Sequence, residues 1–248
     1  MSPTYDFANI LFAGPCNLRC PYCIGRQLDP ALNQNNLNAF PLQNIDRFVY
    51  LLQQNNITEI AFTGTTTDPQ LYRHEARLLA WLREQLPQAR FSLHTNGQLA
   101  LRKIDVFNRY NRVSLSLPSF NSETYRKMTG RQHLPNLPEI MRQAEVPVKV
   151  SCVINEHNAN EVEEFLERCH SLGVKRVVFR QLYGDTHEWN ILQHLPQVST
   201  YHHNPVYHYH GIEVTMWNFH QTRSRALNLF SNGLISPHYL LTSARLSV

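Results

Sequence analysis

Three of the five cysteines of this 248-residue chain fall within eight residues, in Gly14-Pro15-Cys16-Asn17-Leu18-Arg19-Cys20-Pro21-Tyr22-Cys23. Thiolates are nucleophiles and soft metal ligands, so a spacing of three and then two intervening residues calls for a chemical reading. Three readings are open. Positions i, i+4 and i+7 lie on one face of a helix, where thiols merely pack, but Gly14-Pro15 and the internal Pro21 favour a loop because proline breaks the helical hydrogen-bond ladder. A structural zinc site wants four ligands, and the fourth would be Cys152, Cys169 or a distant histidine. The third reading is an iron-sulfur cluster held by three thiolates, with one iron left open to a substrate or cofactor, as catalytic metal sites keep a vacant position.

The elements that must carry this loop are legible from periodicity. Short apolar or β-branched runs alternate with helical segments from Asp6 to about Leu182, the pattern of βα units around a parallel sheet. Strands are expected at Phe7–Phe12, Glu59–Phe62, Arg90–His94, Arg112–Leu117, Val148–Ile154 and Arg176–Leu182. Helices are expected from about Asn44, over Leu71–Leu86, Leu101–Tyr110, Ser122–Met128, Pro138–Ala144 and Glu161–Leu172, the last ended by Gly173. Six such units predict an α/β fold, a partial (β/α)6 barrel whose chemistry sits just after its strands.

Residues 1–186 form this barrel in the sequence reading, and 187–248 form a C-terminal extension packed on it. The extension holds eight of the thirteen histidines. It contains strand-like runs at Gly211–Trp217 and Arg225–Phe230, the second turning through Ser231-Asn232-Gly233 into Leu234–Leu241 as a β-hairpin.

The cysteine spacing, with an aromatic residue before the last cysteine in a loop after the first strand, resembles the signature of the radical S-adenosylmethionine (radical SAM) superfamily. The resemblance implies a 4Fe-4S cluster on Cys16, Cys20 and Cys23. It also implies S-adenosylmethionine chelated to the fourth iron and cleaved reductively to a 5′-deoxyadenosyl radical. Phe62-Thr63-Gly64-Thr65-Thr66-Thr67-Asp68-Pro69 stands where the family has Gly-Gly-Glu-Pro, with threonines replacing the second glycine. A Thr65 or Thr66 oxygen, with Gly64 and Asp68 close by, is therefore expected to meet the cofactor's ammonium. The alternative is a helix N-cap by Thr67 or Asp68. His94-Thr95-Asn96-Gly97 resembles the family's Thr-Asn-Gly turn. Ser114–Arg131 and Val150–Asn155 resemble segments of the branch containing the molybdenum-cofactor GTP cyclase and the SPASM-type maturases. The implied contacts are Asn96 and Ser116 to ribose, Arg180 or Arg126 to the carboxylate, and Tyr22 to adenine. Strand-end hydrogen bonding for Asn96 and Ser116, and a surface ion pair for Arg180, are the ordinary alternatives.

Composition narrows the partners. Charged residues are 17% and the net charge is +4, too mild for a nucleic-acid binder. No run is long enough to span a membrane, and MSPTYDFANI lacks the regions of a signal peptide, so a cytoplasmic protein is expected. No cysteine follows Cys169, which argues against an auxiliary cluster. Cys152 and Cys169 read as buried thiols. The extension's His202, His203, Tyr207, His208, Tyr209, His210, Trp217 and His220 are candidates to close the barrel mouth. A histidine metal site, with His208 and His210 on one strand face, is the alternative. The expected function is hydrogen abstraction from a small polar substrate, with electrons from a donor such as flavodoxin or ferredoxin. An activase that installs a radical on a partner protein, and a non-enzymatic metal-binding protein, are the other classes.

Overall fold

Period-2 alternation along the central strands puts apolar side chains on one face of a single sheet and polar ones on the other. The computed structural model describes residues 5–222 and 224–239. Along the chain run β1 (Phe7–Phe12), α1 (Ile45–Gln54), β2 (Glu59–Gly64), α2 (Glu75–Gln85), β3 (Arg90–Thr95), α3 (Ile104–Phe107), β4 (Arg112–Ser116), α4 (Ser122–Thr129), α5 (Leu137–Gln143), β5 (Val148–Ile154), α6 (Val162–Ser171) and β6 (Arg176–Gln181). They are followed by β7 (Gln197–Tyr201), β8 (Asn204–Tyr209), β9 (Ile212–Trp217), β10 (Ala226–Leu229) and β11 (Ile235–Ser236). The strand order is β11-β10-β1-β2-β3-β4-β5-β6-β9-β8-β7. The sheet is open, as a partial barrel requires.

Ile10, Phe62, Phe91, Leu93, Leu115, Val150 and Phe179 on the outer face share one core with Phe48, Leu52, Leu78, Leu82, Ile140, Phe165 and Leu166 of the helices. Each such side chain contributes about 1.5–3 kcal/mol by leaving water. The inner face instead carries Ser92, His94, Ser114, Lys149, Ser151, Arg180 and Thr215, which line open space. The barrel interior is a chamber rather than a packed core.

Two expected helices are shorter than their periodicity suggests. The stretch from Leu71 starts as a 3-10 turn, Pro69–Leu71, capped by Asp68. It breaks at Tyr72, whose extended backbone lets its fully buried ring reach Phe12, 4.9 Å between centroids; α2 begins only at Glu75. The segment from Leu101 is likewise split at Lys103, whose ammonium is drawn 2.6 Å from both the Gln70 carbonyl and Glu75.

The residues beyond 186 join the same sheet. β9 pairs parallel with β6 and β10 parallel with β1, so the segment extends both edges of the six-unit sheet. Asn9 Nδ2 donates to Asn228 Oδ1 at 2.8 Å, buried at the β1–β10 seam. β10 and β11 form the expected hairpin, with Gly233 at φ +82 and Phe230 N donating to the Leu234 carbonyl. Leu240 and Leu241, at the end of its expected arm, lie outside the described residues. Strands β7 and β8 carried no apolar alternation: every residue of β7 is exposed.

His208 and His210 do not share a strand face. β8 ends at Tyr209, and His210 takes φ +44 in the turn to β9, its ring 5.8 Å from that of His170. A strand's alternation stops where its backbone leaves the extended region.

Candidate functional site

The cysteine loop leaves the C-terminal end of β1 and is strapped to the loop after β2 by threonines. Thr65, Thr66 and Thr67 hydroxyls donate to the carbonyls of Phe12, Gly14 and Pro15 at 3.2, 3.4 and 2.7 Å. Gly14 N returns a bond to Thr66 Oγ1. Behind the loop, Gly25 lies so close to the second loop that a Cβ there would come within 2.0 Å of the Thr65 carbonyl oxygen, while inside the second loop a Cβ on Gly64 would come within 1.6 Å of the Thr67 oxygen. The two loops thus seat against each other backbone to backbone.

Cys16, Cys20 and Cys23 are half-buried thiols outside any disulfide that line one cavity of about 380 Å³. Burial pushes the Cys20 thiol up to about 12, with Cys23 and Cys16 adding repulsion, and raises that of Cys16. Three bare thiolates here would be poorly tolerated; a bound metal centre deprotonates such thiols outright. Among the described residues no three His, Cys, Asp or Glu side chains converge on a single-ion site. Thiolates that each take a different iron need not converge on one point, so the donor set fits a cluster. Cys16 Sγ accepts from Leu18 N at 3.4 Å, the kind of bond that orients a ligating sulfur.

Asp68 brackets the cavity. Its carboxylate accepts from Gln70 N (2.9 Å), Thr95 Oγ1 (2.9 Å) and Asn96 N (2.6 Å), joining the β2 and β3 loops. Burial raises its pKa while these bonds and Lys103 oppose the rise. Asn96 Nδ2 passes the chain on to Asn17 Oδ1 at 2.8 Å, beside Cys16. Of the two capping candidates, Asp68 caps the Pro69 turn; Thr67 serves the cysteine loop.

Tyr22, Gly64, Thr65, Thr66, Asp68, Asn96, Ser116 and Arg180 all line this cavity. Arg126 is exposed on α4 and is not among its lining residues. Ser116 is exposed at the end of β4. Tyr22 is enclosed enough that desolvation holds its phenol well above the usual range. Arg180 is not part of a surface ion pair: its Nε donates to Ser151 Oγ at 2.9 Å, its guanidinium lies 5.9 Å from the Trp217 ring centroid, and desolvation lowers its pKa.

The structure adds residues that motif reading passed over. Asn17 links Cys16 to Asn96. Tyr183 and Phe219, 5.8 Å apart edge to face, stand at the mouth, and His220 stacks on Tyr183. Of the extension's other polar aromatics, Trp217 faces the chamber while His203, His208 and His210 are exposed. Cys152 and Cys169 are fully buried, as expected.

The sequence profile of the Radical SAM superfamily matches residues 10–194. Curated relatives include GTP 3',8-cyclases from Mycolicibacterium smegmatis, 28% identical over 70% of this chain and 50% of the relative, and from Mycobacterium marinum, 31% identical over the same shares. The chain spans about half the length of these relatives. Among solved structures, Streptococcus suis SuiB bound to precursor peptide SuiA gives a TM-score of 0.58 at 16% identity, covering 72% of this chain and 40% of SuiB. The Escherichia coli coproporphyrinogen III oxidase HemN gives 0.52 at 15%, covering 77% and 47%.

Proposed function

The chain belongs to the radical SAM superfamily, and from that premise we propose that it abstracts hydrogen from a small polar substrate held inside the barrel. It is an enzyme whose cofactors are a 4Fe-4S cluster and S-adenosylmethionine. On one-electron reduction these supply a 5′-deoxyadenosyl radical. Cys16, Cys20 and Cys23 are the residues to hold the cluster. Arg180, without a carboxylate partner among the described residues, neutralises the cofactor's carboxylate. Ser116 and Asn96 serve its ribose, the oxygens of the Thr65-Thr66 loop beside Asp68 serve its ammonium, and Tyr22 walls its adenine. Tyr183 and Phe219 keep water from the mouth, which radical chemistry needs.

The observation that carries this reading is that Cys16, Cys20 and Cys23 line the same cavity as Arg180, Asn96 and Ser116. The relatives are named for GTP; a nucleotide falls within the small polar class but is not singled out by these residues. The reductant is a one-electron donor such as flavodoxin or ferredoxin.

Anaerobically reconstituted protein is expected to be brown and, with dithionite and S-adenosylmethionine, to release 5′-deoxyadenosine. Serine at Cys16, Cys20 or Cys23 is expected to cut that release by at least about 100-fold. A colourless protein with one zinc per chain, or no nucleoside fragmentation, overturns the reading. A glycyl radical on a partner, formed only with this protein, would replace the small substrate by an activase role.

A further inference from the structure

Beneath the cofactor cavity the barrel continues into a second space of about 680 Å³. The two share His94, Ser114, Arg180 and Phe219, so they form one lumen. That volume suits a metabolite.

The charges around it are lopsided. Lys149 on β5, His94 on β3, Arg112 on β4, Arg176 and Arg180 on β6, and Lys175 just before β6 line it, against one carboxylate, Glu59. Glu59 is taken by Arg112 at 2.7 Å and Arg90 at 3.6 Å, and Glu213 by Arg176 at 2.7 Å. Among the described residues the side chains of Lys149 and His94 make no hydrogen bond and no ion pair, although both residues pair through their backbones with β4.

A desolvated cation without a partner is costly to keep, and the cost shows. Burial, with Arg180, Arg176 and Arg112 nearby, pulls the Lys149 ammonium down to about 7, Glu213 only partly opposing. Burial with Lys149, Arg180 and Arg112 holds His94 neutral. Glu213 on β9 acts on Lys149 through its charge alone, and its carboxylate is already engaged by Arg176. The small hydroxyls of Ser92, Ser114 and Thr215 around Lys149 leave room beside it.

We propose that this lower lumen is the substrate chamber and that it takes an anionic substrate, whose carboxylate or phosphoryl group binds Lys149 with His94 beside it. The proposal rests on the function proposed above in placing the substrate within reach of the cofactor, and it deepens that reading by naming the substrate's charge. Arg180, at the junction of the two spaces, is occupied by the cofactor; Lys149, one strand over and deeper, is left for the substrate.

The test uses reconstituted, anaerobic holoprotein saturated with S-adenosylmethionine. Binding of succinate, of pyrophosphate and of neutral succinamide is measured by calorimetry on wild type, Lys149→Met and Lys149→Arg. Wild type is expected to bind at least one anion and to bind succinamide at least about 10-fold more weakly. The Met variant is expected to lose at least about 10-fold in anion affinity and the Arg variant to stay close to wild type. Succinate binding over pyrophosphate indicates a carboxylate substrate, and the reverse a phosphoryl one. Without anion, Lys149→Met is expected to melt about 3 °C higher than wild type at pH 7, because an unpaired cation has been removed; this separates loss of binding from loss of fold. Absence of anion binding to wild type, or undiminished binding to a folded Met variant, overturns the proposal. If wild type releases 5′-deoxyadenosine but binds neither anion, the chamber assignment fails while the enzyme reading stands. If anions bind through Lys149 but no nucleoside is cleaved, the enzyme reading fails instead.

Discussion

Arg180 donates from Nε to Ser151 and leaves the rest of its guanidinium facing the cavity. Replacing it with methionine keeps the volume and removes the fork that a carboxylate would meet. The affinity for S-adenosylmethionine is expected to fall about 10- to 100-fold, the value of a charge-assisted bond, and equilibrium dialysis of the reconstituted protein reads it. Lys149 predicts a pH signature of its own. Its proton is lost near pH 7 in the folded chain but near 10.5 once unfolded, so between these values the unfolded state binds more protons and stability rises with pH. Below about 7 both states are charged and the burial cost is fully present. Denaturant titrations of wild type minus Lys149→Met are expected to show this slope; a pH-independent difference would remove Lys149 from the unpaired class. The cysteines were visible in sequence because three thiols crowded into a proline-broken loop favour metal binding over packing. Lys149 and His94 were not, because a polar residue in a buried strand gains meaning only once the barrel is seen to be open inside. Arg126 had as good a sequence claim as Arg180, and only the exposed face of α4 distinguishes them.

The cysteine loop and the β2 loop meet through glycine backbone. Gly25→Ala would drive a methyl into the Thr65 carbonyl at 2.0 Å, and since that atom is backbone the loops must part. Such overpacking costs about 1–3 kcal/mol, and iron retained after desalting is expected to drop while the helical circular dichroism signal persists. Asp68→Ala would strand the Asn96 and Gln70 amides it now receives, costing about 2 kcal/mol or more and loosening the turn that places Asn96. The six strands of the βα units were legible to within two residues because their outer faces alternate cleanly. Helix lengths were not: Tyr72 and Lys103 leave the helical path for tertiary partners, Phe12 and Glu75, that no local window contains.

At the scale of the whole molecule, the residues after 186 complete the sheet rather than sit upon it. β1 and β6 would be bare edges without β10 and β9, and bare parallel edges invite pairing with other chains. Truncation after Asp185 is therefore expected to give aggregates on size exclusion although β1 to β6 and the helices between them remain; a monodisperse monomer would contradict this. The extension was hard to read because β7 is wholly exposed and β8 mixes proline, tyrosine and histidine, so hydrophobic period carries no signal there. Its course has one more consequence. Trp217 ends β9 and Ala226 begins β10, nine peptide links away, so the two strands that flank the six-strand sheet are tied together within about 30 Å at these ends. That short covalent tether sets a ceiling on the portal: a loose tail or a metabolite can pass beneath it, whereas a folded domain cannot be swallowed whole.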